Sequence, residues 1–223
     1  LEGGLSPNAT VQSWRGFEGG IEAVEQGHDA IMSPTSHAYF DYPLSSIDVP
    51  KVYSYSPIPN DLDPLLAGHI LGGECNLWSE RIPDIETLDR RFLPRGIAMA
   101  EVLWSQPPDR EYDAFWERLQ NHYPMLDALG YSYDVEQVPV KLATRNDSFK
   151  EELKVAVTTE PAFANLELAV EAPTGMTMGS LTTFTARGAH QMKVQPTRDG
   201  HAMGKALNYG FAVHEGLLTH SCL

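Results

Sequence analysis

Two strand-like runs separated by one helical stretch constrain this chain most. Ala9-Thr10-Val11-Gln12-Ser13-Trp14 follows a Pro7-Asn8 turn signal and is β-prone, and Asp29-Ala30-Ile31-Met32-Ser33 is a second such run stopped by Pro34. Between them Phe17, Ile21 and Val24 recur at i, i+4 and i+7, with Gly27 where a helix would close, so residues 17–26 read as a helix. A strand, a helix and a strand within about thirty residues form a βαβ unit, whose strands must run parallel. The chain is therefore expected to be α/β, with its sheet covered by helices.

A third strand leads into the most informative stretch, Ile70-Leu71-Gly72-Gly73-Glu74-Cys75-Asn76-Leu77-Trp78-Ser79-Glu80. If the strand continues that far, Trp78 and Glu80 share a face. At the C-terminal end of a parallel barrel strand, a flat ring beside a carboxylate suits a sugar, the ring packing on the pyranose and the carboxylate accepting from hydroxyls. The alternative is a core tryptophan beside a solvated glutamate. Leu93, Ile97, Ala100 and Trp104 predict a helix after this strand, and Phe115, Leu119, Tyr123, Leu126 and Leu129 another, kinked at Pro124 and closed at Gly130. The connection from Pro34 to Gly68 has no clear periodicity, but Tyr39, Phe40, Tyr42, Tyr53 and Tyr55 argue that it is ordered and functional. Three strands cannot close a barrel, which needs eight, so the sheet is either open or a portion of something larger.

Charge narrows the partners. A net charge of −14 repels phosphate backbones and anionic lipid headgroups, which argues against nucleic acid and membrane partners. The charge is uneven: 20 acidic and 8 basic residues through Tyr133, then 10 and 8 from Asp134 onward. That change marks an expected boundary between residues 1–133 and 134–223. Beyond it, residues 153–159, 165–170, 181–186 and 191–194 are β-prone runs separated by Pro and Gly, the outline of a small antiparallel sandwich with an accessory role. Cys75 and Cys222 are the only cysteines and lack metal-ligand spacing, so plain thiols are expected, with neither a disulfide scaffold nor a metal site. The opening Leu1-Glu2-Gly3-Gly4, without an initiator Met, reads as the interior of a longer protein.

Several segments together carry a family resemblance. Leu1-Glu2-Gly3-Gly4-Leu5-Ser6-Pro7-Asn8-Ala9-Thr10-Val11-Gln12-Ser13-Trp14-Arg15-Gly16, His28-Asp29-Ala30-Ile31-Met32-Ser33-Pro34 with Tyr39-Phe40-Asp41, and Val52-Tyr53-Ser54-Tyr55 are the first of them. Asn76-Leu77-Trp78-Ser79-Glu80, Leu93-Pro94-Arg95, Ala100-Glu101 and Leu103-Trp104-Ser105 follow in order. Residues 1–133 resemble the bacterial β-N-acetylhexosaminidases of glycoside hydrolase family 20. The resemblance implies a (β/α)₈ TIM barrel, with the three strands as about its sixth to eighth. The tail is similar, more loosely, to the β-sandwich that follows the barrel in many bacterial members, although the Tyr-Thr-x-Asp-Gly-Ser-x-Pro signature is missing.

The implied reaction is exo-acting hydrolysis of terminal β-linked GlcNAc or GalNAc with retention. The sugar's own 2-acetamido oxygen attacks the anomeric carbon, a recognised exception to the two-carboxylate rule. The family needs an Asp-Glu pair, in which Asp orients the acetamido group and Glu protonates the leaving oxygen. No Asp-Glu dipeptide occurs in these 223 residues, so the chain is expected to be inactive alone.

The resemblance also implies roles for individual residues. Tyr39 is expected to donate to the acetamido carbonyl oxygen, Asp41 and Glu80 to bind sugar hydroxyls, and Trp14 and Trp78 to wall the pocket. Against these stand a rim tyrosine, an N-cap or solvated acid, a surface ion pair and core packing, respectively. Arg95 and Glu101 are expected to form an internal ion pair or capping contacts, and His37 and His69 to be structural. Gly72-Gly73 lacks the pattern of a phosphate cradle. No cofactor or metal is implied; the implied partners are N-acetylhexosamine-terminated oligosaccharides or glycoconjugates, in the periplasm or outside the cell. A different barrel glycosidase and a non-catalytic carbohydrate-binding fragment remain as alternatives.

Overall fold

The computed structural model describes residues 4–105, 107–147, 152–159, 163, 166–185, 188–198, 200–213 and 218–222. The chain divides into two units, Leu1–Val138 and Pro139–Leu223. Residues 134–137, expected with the tail, are tied to the first unit by their hydrogen bonds. Asp134 N–H donates to Leu93 O (3.1 Å), Val49 N–H donates to Glu136 O (2.8 Å) and the Gln137 amide donates to Asp48 (3.1 Å).

The first unit is built on a three-stranded sheet of order β1 (Thr10–Ser13), β2 (Asp29–Met32), β3 (Ile70–Gly73), with α1 (Glu18–Glu25) crossing from β1 to β2. Both pairings are parallel, as the βαβ pattern requires. Ser13, Ala30, Met32 and Ile70 are buried, as are Gly20, Ala23 and Val24 of α1. Ser13 ties the crossover down: its hydroxyl donates to Gly16 O (2.7 Å) and accepts from Gly20 N–H (3.0 Å). Strand alternation sends the side chains of Gln12, Ile31 and Leu71 to the opposite face, where Gln12 and Leu71 are exposed.

The β2–β3 register shifts between Ala30 and Ile31, so that Ile31 pairs with Gly72 and Met32 with Gly73. The two glycines do different things there. Gly72 sits at φ 141°, a region that disfavours side chains, and carries the irregularity. Gly73 has an ordinary φ, but a Cβ there would meet the Tyr55 hydroxyl and lie 3.0 Å from both Met32 O and Leu103 Cδ2. The sheet thus uses a pair of glycines to bend β3 and to admit a buried tyrosine.

The strand ends at Gly73, not beyond Glu80 as alternation from Ile70 assumed. Only one further bridge, between Tyr39 and Asn76, prolongs the pairing. Trp78 is then the cap of a 3₁₀ turn, Ser79–Arg81, that contains Glu80.

The Pro34–Gly68 connection contains a helix that is too short to leave a periodic signal, α2 (Val49–Tyr53). Its Asp48 cap accepts from Lys51 N–H (2.8 Å), Pro50 lies in its first turn, and Val49, Val52 and Tyr53 are buried. A 3₁₀ helix, Pro64–His69, completes the connection. Helix α3 (Ile85–Phe92) was also unexpected. It buries no residue, and is held by its Asp84 cap on Thr87 N–H (2.7 Å) and by an Arg90–Glu86 ion pair (3.0 Å). Helix α4 (Arg95–Trp104) forms where a helix was expected but on another face: Gly96, Ala98, Met99 and Val102 are buried, while Ala100 and Trp104 of the expected stripe are exposed and Leu93 precedes the helix. The expected kinked helix over 115–129 is two helices, α5 (Tyr112–Gln120) and α6 (Tyr123–Leu129). Pro124 lies in the first turn of α6, where its missing N–H costs nothing, so it starts a helix instead of bending one. None of these helices is long and apolar enough to cross a membrane.

The second unit has two antiparallel sheets. One runs β4 (Val140–Asp147), β5 (Glu152–Thr159), β8 (Leu181–Phe184), β7 (Met176–Met178). The other contains β6 (Glu167–Glu171), β9 (Gly188–Arg198), β10 (His201–Ala202), β11 (Leu207–Val213) and β12 (Leu218–Cys222), with β9 at its centre. Period-two burial is clear on β5, where Leu153, Val155 and Val157 point inward, and on β9, where His190, Met192 and Val194 do. Val140, Leu153, Val155, Val157 and Phe184 form one apolar cluster with Met192, Val194 and Phe211 of the other sheet.

Candidate active site

The segment after β2 and the segment after β3 run side by side past the end of the sheet. Asn76 N–H donates to Ala38 O (2.7 Å) and Phe40 N–H donates to Asn76 O (2.8 Å). This pair of bonds fixes Tyr39 opposite Asn76, two residues short of Trp78. The Trp78 indole lies close enough to the Tyr39 hydroxyl to work toward lowering its pKa. An indole N–H is a donor only, so toward this indole the phenol oxygen can act only as an acceptor. Burial, and then the nearby Asp41, Tyr42 and Glu74, push the Tyr39 pKa up against the lowering effect of the indole, so the hydroxyl holds its proton.

Asp41 lies two residues on, 5% exposed, with Oδ1 lacking a hydrogen-bond partner. The Asn76 side-chain nitrogen is likewise buried and unpartnered. Unmatched buried polar atoms are costly, and here they cluster at the strand ends where a polyhydroxylated ligand would satisfy them. Tyr42 stacks near Tyr39, with ring centroids 6.2 Å apart, and carries the Arg81 guanidinium 4.7 Å above its ring.

Of the five residues expected at a site, Tyr39, Asp41 and Trp78 are therefore brought together. Trp78 is 53% exposed and Trp14 46%, so neither is a core tryptophan. Trp14 follows β1, where its carbonyl accepts from Thr35 N–H (2.8 Å) and its ring lies 5.0 Å from the Arg15 guanidinium. Glu80 is exposed on its 3₁₀ turn. Among the described residues, neither Trp14 nor Glu80 makes a hydrogen bond or ring contact with Tyr39, Asp41 or Trp78.

Three residues not singled out from the sequence join the ends of all three strands. The Gln12 amide donates to Ser33 Oγ (3.1 Å) and to the Glu74 carboxylate. Glu74, Asn76 and Trp78 share one parity in the sequence, so the alternation that pointed to Trp78 and Glu80 contained this signal too. Arg95 is 2% exposed and is not paired with Glu101. It donates to the carbonyls of Phe40 (2.5 Å), Tyr42 (3.1 Å), Ile47 (3.0 Å) and Arg91 (2.6 Å). Glu101 instead accepts from the Tyr53 hydroxyl (2.7 Å) and from Arg118 (2.6 Å).

The histidines lie apart from this cluster. Burial, and then the charge of Lys51, hold His37 at a pKa of about 4, so its imidazole is neutral; it packs on Phe17 and Tyr55. Those three line a cleft of about 360 Å³ that none of the five expected site residues borders. His69 meets Asp29 at 2.9 Å. Burial pushes the Cys75 thiol up, and the Cys222 side chain lies outside the described residues. Among the described residues, no three His, Cys, Asp or Glu side chains are grouped to hold a metal ion.

Residues 2–107 match the glycosyl hydrolase family 20 catalytic domain. A β-hexosaminidase of Porphyromonas gingivalis is 35% identical over 173 residues, covering 71% of this chain and 22% of its own length. A β-N-acetylhexosaminidase of Cellulomonas fimi is 29% identical, over 58% of this chain and 29% of its own. Among solved structures, the family 20 exo-β-N-acetylglucosaminidase of Vibrio harveyi in complex with N-acetylglucosamine superposes with a TM-score of 0.54. It is 27% identical and covers 59% of this chain and 23% of that one. The chain thus spans between a fifth and a third of the length of these relatives.

Proposed function

Because residues 2–107 of this chain belong to glycosyl hydrolase family 20, we propose that its first unit is the acetamido- and hydroxyl-binding side of a β-N-acetylhexosaminidase site. In this reading β1, β2 and β3 are about the sixth to eighth strands of a (β/α)₈ barrel, and the second unit is a β-sandwich. The Tyr39 hydroxyl donates to the carbonyl oxygen of the substrate's 2-acetamido group and holds it in line with the anomeric carbon. That oxygen attacks as the glycosidic bond breaks, giving a cyclic oxazolinium that water opens with net retention. Trp14 and Trp78 wall the pocket, and Asp41 and Glu80 accept hydrogen bonds from hydroxyls of the terminal sugar.

The observation that carries this reading is the pairing of the segments after β2 and β3, which sets Tyr39 opposite Asn76 beside the buried, unpartnered Asp41 Oδ1 and Asn76 amide nitrogen. Positioning of this kind contributes where the nucleophile belongs to the substrate itself. The general acid is not among these residues, since no Asp-Glu dipeptide occurs in them. A missing general acid costs about two to four orders of magnitude. Hydrolysis of an aryl N-acetyl-β-glucosaminide is thus expected from the product of the whole reading frame, and none from the 223 residues alone. Tyr39→Phe in the former should lower kcat about a hundredfold or more, with a smaller effect on KM. Equal turnover of the corresponding β-glucoside would favour a different barrel glycosidase, and sugar binding without turnover by the whole product would favour a binding module.

A further inference from the structure

Phe40 stands between the two site residues Tyr39 and Asp41, and every one of its groups is anchored. Its N–H donates to Asn76 O (2.8 Å), and its carbonyl accepts from Arg95 (2.5 Å). Its ring is fully buried and carries the Arg95 guanidinium 4.8 Å from its centroid. The same guanidinium binds Tyr42 O (3.1 Å), so the carbonyls on both sides of Asp41 are gripped by one side chain. It also binds Ile47 O (3.0 Å) further along the segment, and its Nε and NH2 both reach Arg91 O (2.9 and 2.6 Å) at the end of α3.

These partners are all main-chain carbonyls. A side chain that fixes only backbone sets where a segment runs, and this segment carries the phenol and the carboxylate. Lysine cannot reproduce the arrangement, because its three donors diverge from one nitrogen whereas the guanidinium offers five in a planar fork. Burying the charge is unfavourable, and burial pulls its pKa down to about 10, so it remains protonated at neutral pH.

We propose that Arg95 is a positioning residue for the reaction, aligning Tyr39 and Asp41 by clamping the carbonyls of Phe40 and Tyr42; this rests on the reading of Tyr39 as the acetamido donor. A displacement of about 1 Å in such a group can cost about a hundredfold. The test is a double-mutant cycle in the product of the whole reading frame, assayed on an aryl N-acetyl-β-glucosaminide. Arg95→Lys should lower kcat about tenfold to a hundredfold while the melting temperature still lies above the assay temperature. In the Tyr39→Phe background the same substitution should cost less than about threefold, because the group it aligns is already gone. Equal losses in the two backgrounds, or a lowered melting temperature with unchanged kcat, would overturn the proposal. If Arg95→Lys does not fold, Phe40→Leu removes the ring beneath the guanidinium and keeps the carbonyls. It should show a smaller kcat loss, with the same dependence on Tyr39. An unchanged kcat in Tyr39→Phe alone would overturn the underlying site reading, separately from the role of Arg95.

Discussion

Whether the Tyr39 phenol offers a proton or a lone pair to a ligand depends on its neighbour. The Trp78 indole lies near that oxygen and works toward lowering its pKa, so in the proposed site the two aromatic residues act as a pair. Trp78→Ala should raise KM and lower kcat together, since it removes both a wall and the group that orients Tyr39. Trp78→Phe keeps a ring but has no N–H, so its loss is expected mainly in kcat, about three- to thirtyfold by analogy with other orienting hydrogen bonds. Steady-state kinetics on an aryl N-acetyl-β-glucosaminide separate the two; identical profiles would mean that the indole N–H contributes nothing. Tyr39, Asp41 and Trp78 were expected from motif order, but the pairing that sets Tyr39 opposite Asn76 was not. The expected face of Trp78 and Glu80 assumed a strand that ends at Gly73, five residues before Trp78. Arg95 was equally illegible, because an arginine bonded to carbonyls leaves no acidic partner to find in the sequence.

The elements that could be read in advance are those whose burial pattern repeats. β1, α1 and β2 repeat a core face, and β5 and β9 alternate, whereas α4 was found as a helix but read on its exposed face. α2 is a single capped turn and a half, and α3 is held by a cap and an ion pair with nothing buried, so neither leaves a hydrophobic period. The double glycine of β3 had meaning only in three dimensions. Gly73→Ala would drive a methyl group against the Tyr55 hydroxyl, which donates to Met32 O (2.7 Å) and lies in the core. A loss of about 1–3 kcal/mol is expected from the overpacking and the displaced hydrogen bond. Urea denaturation of the whole product measures it, and an unchanged midpoint would mean that Tyr55 moves aside without cost.

At the scale of the molecule, the change of charge at Asp134 came within five residues of the division between the units. The remainder was hidden because Asp134, Glu136 and Gln137 are polar in sequence yet hydrogen-bonded to the first unit, the first two through the backbone and Gln137 through its side chain. Of the four tryptophans, Trp14, Trp78 and Trp104 face solvent, two of them at the strand ends and one at the tip of α4. In the proposed reading, with Trp14 and Trp78 walling the pocket, this distribution makes the protein an optical reporter of its own occupancy. Trp104 supplies a constant, red-shifted background, and Trp104→Phe removes it. In that variant, N-acetylglucosamine at saturating concentration should shift the emission to the blue and protect it from acrylamide quenching, as Trp14 and Trp78 pass from water to the face of a sugar. An emission spectrum indifferent to the sugar would place the ligand elsewhere, and would do so without any assay of turnover.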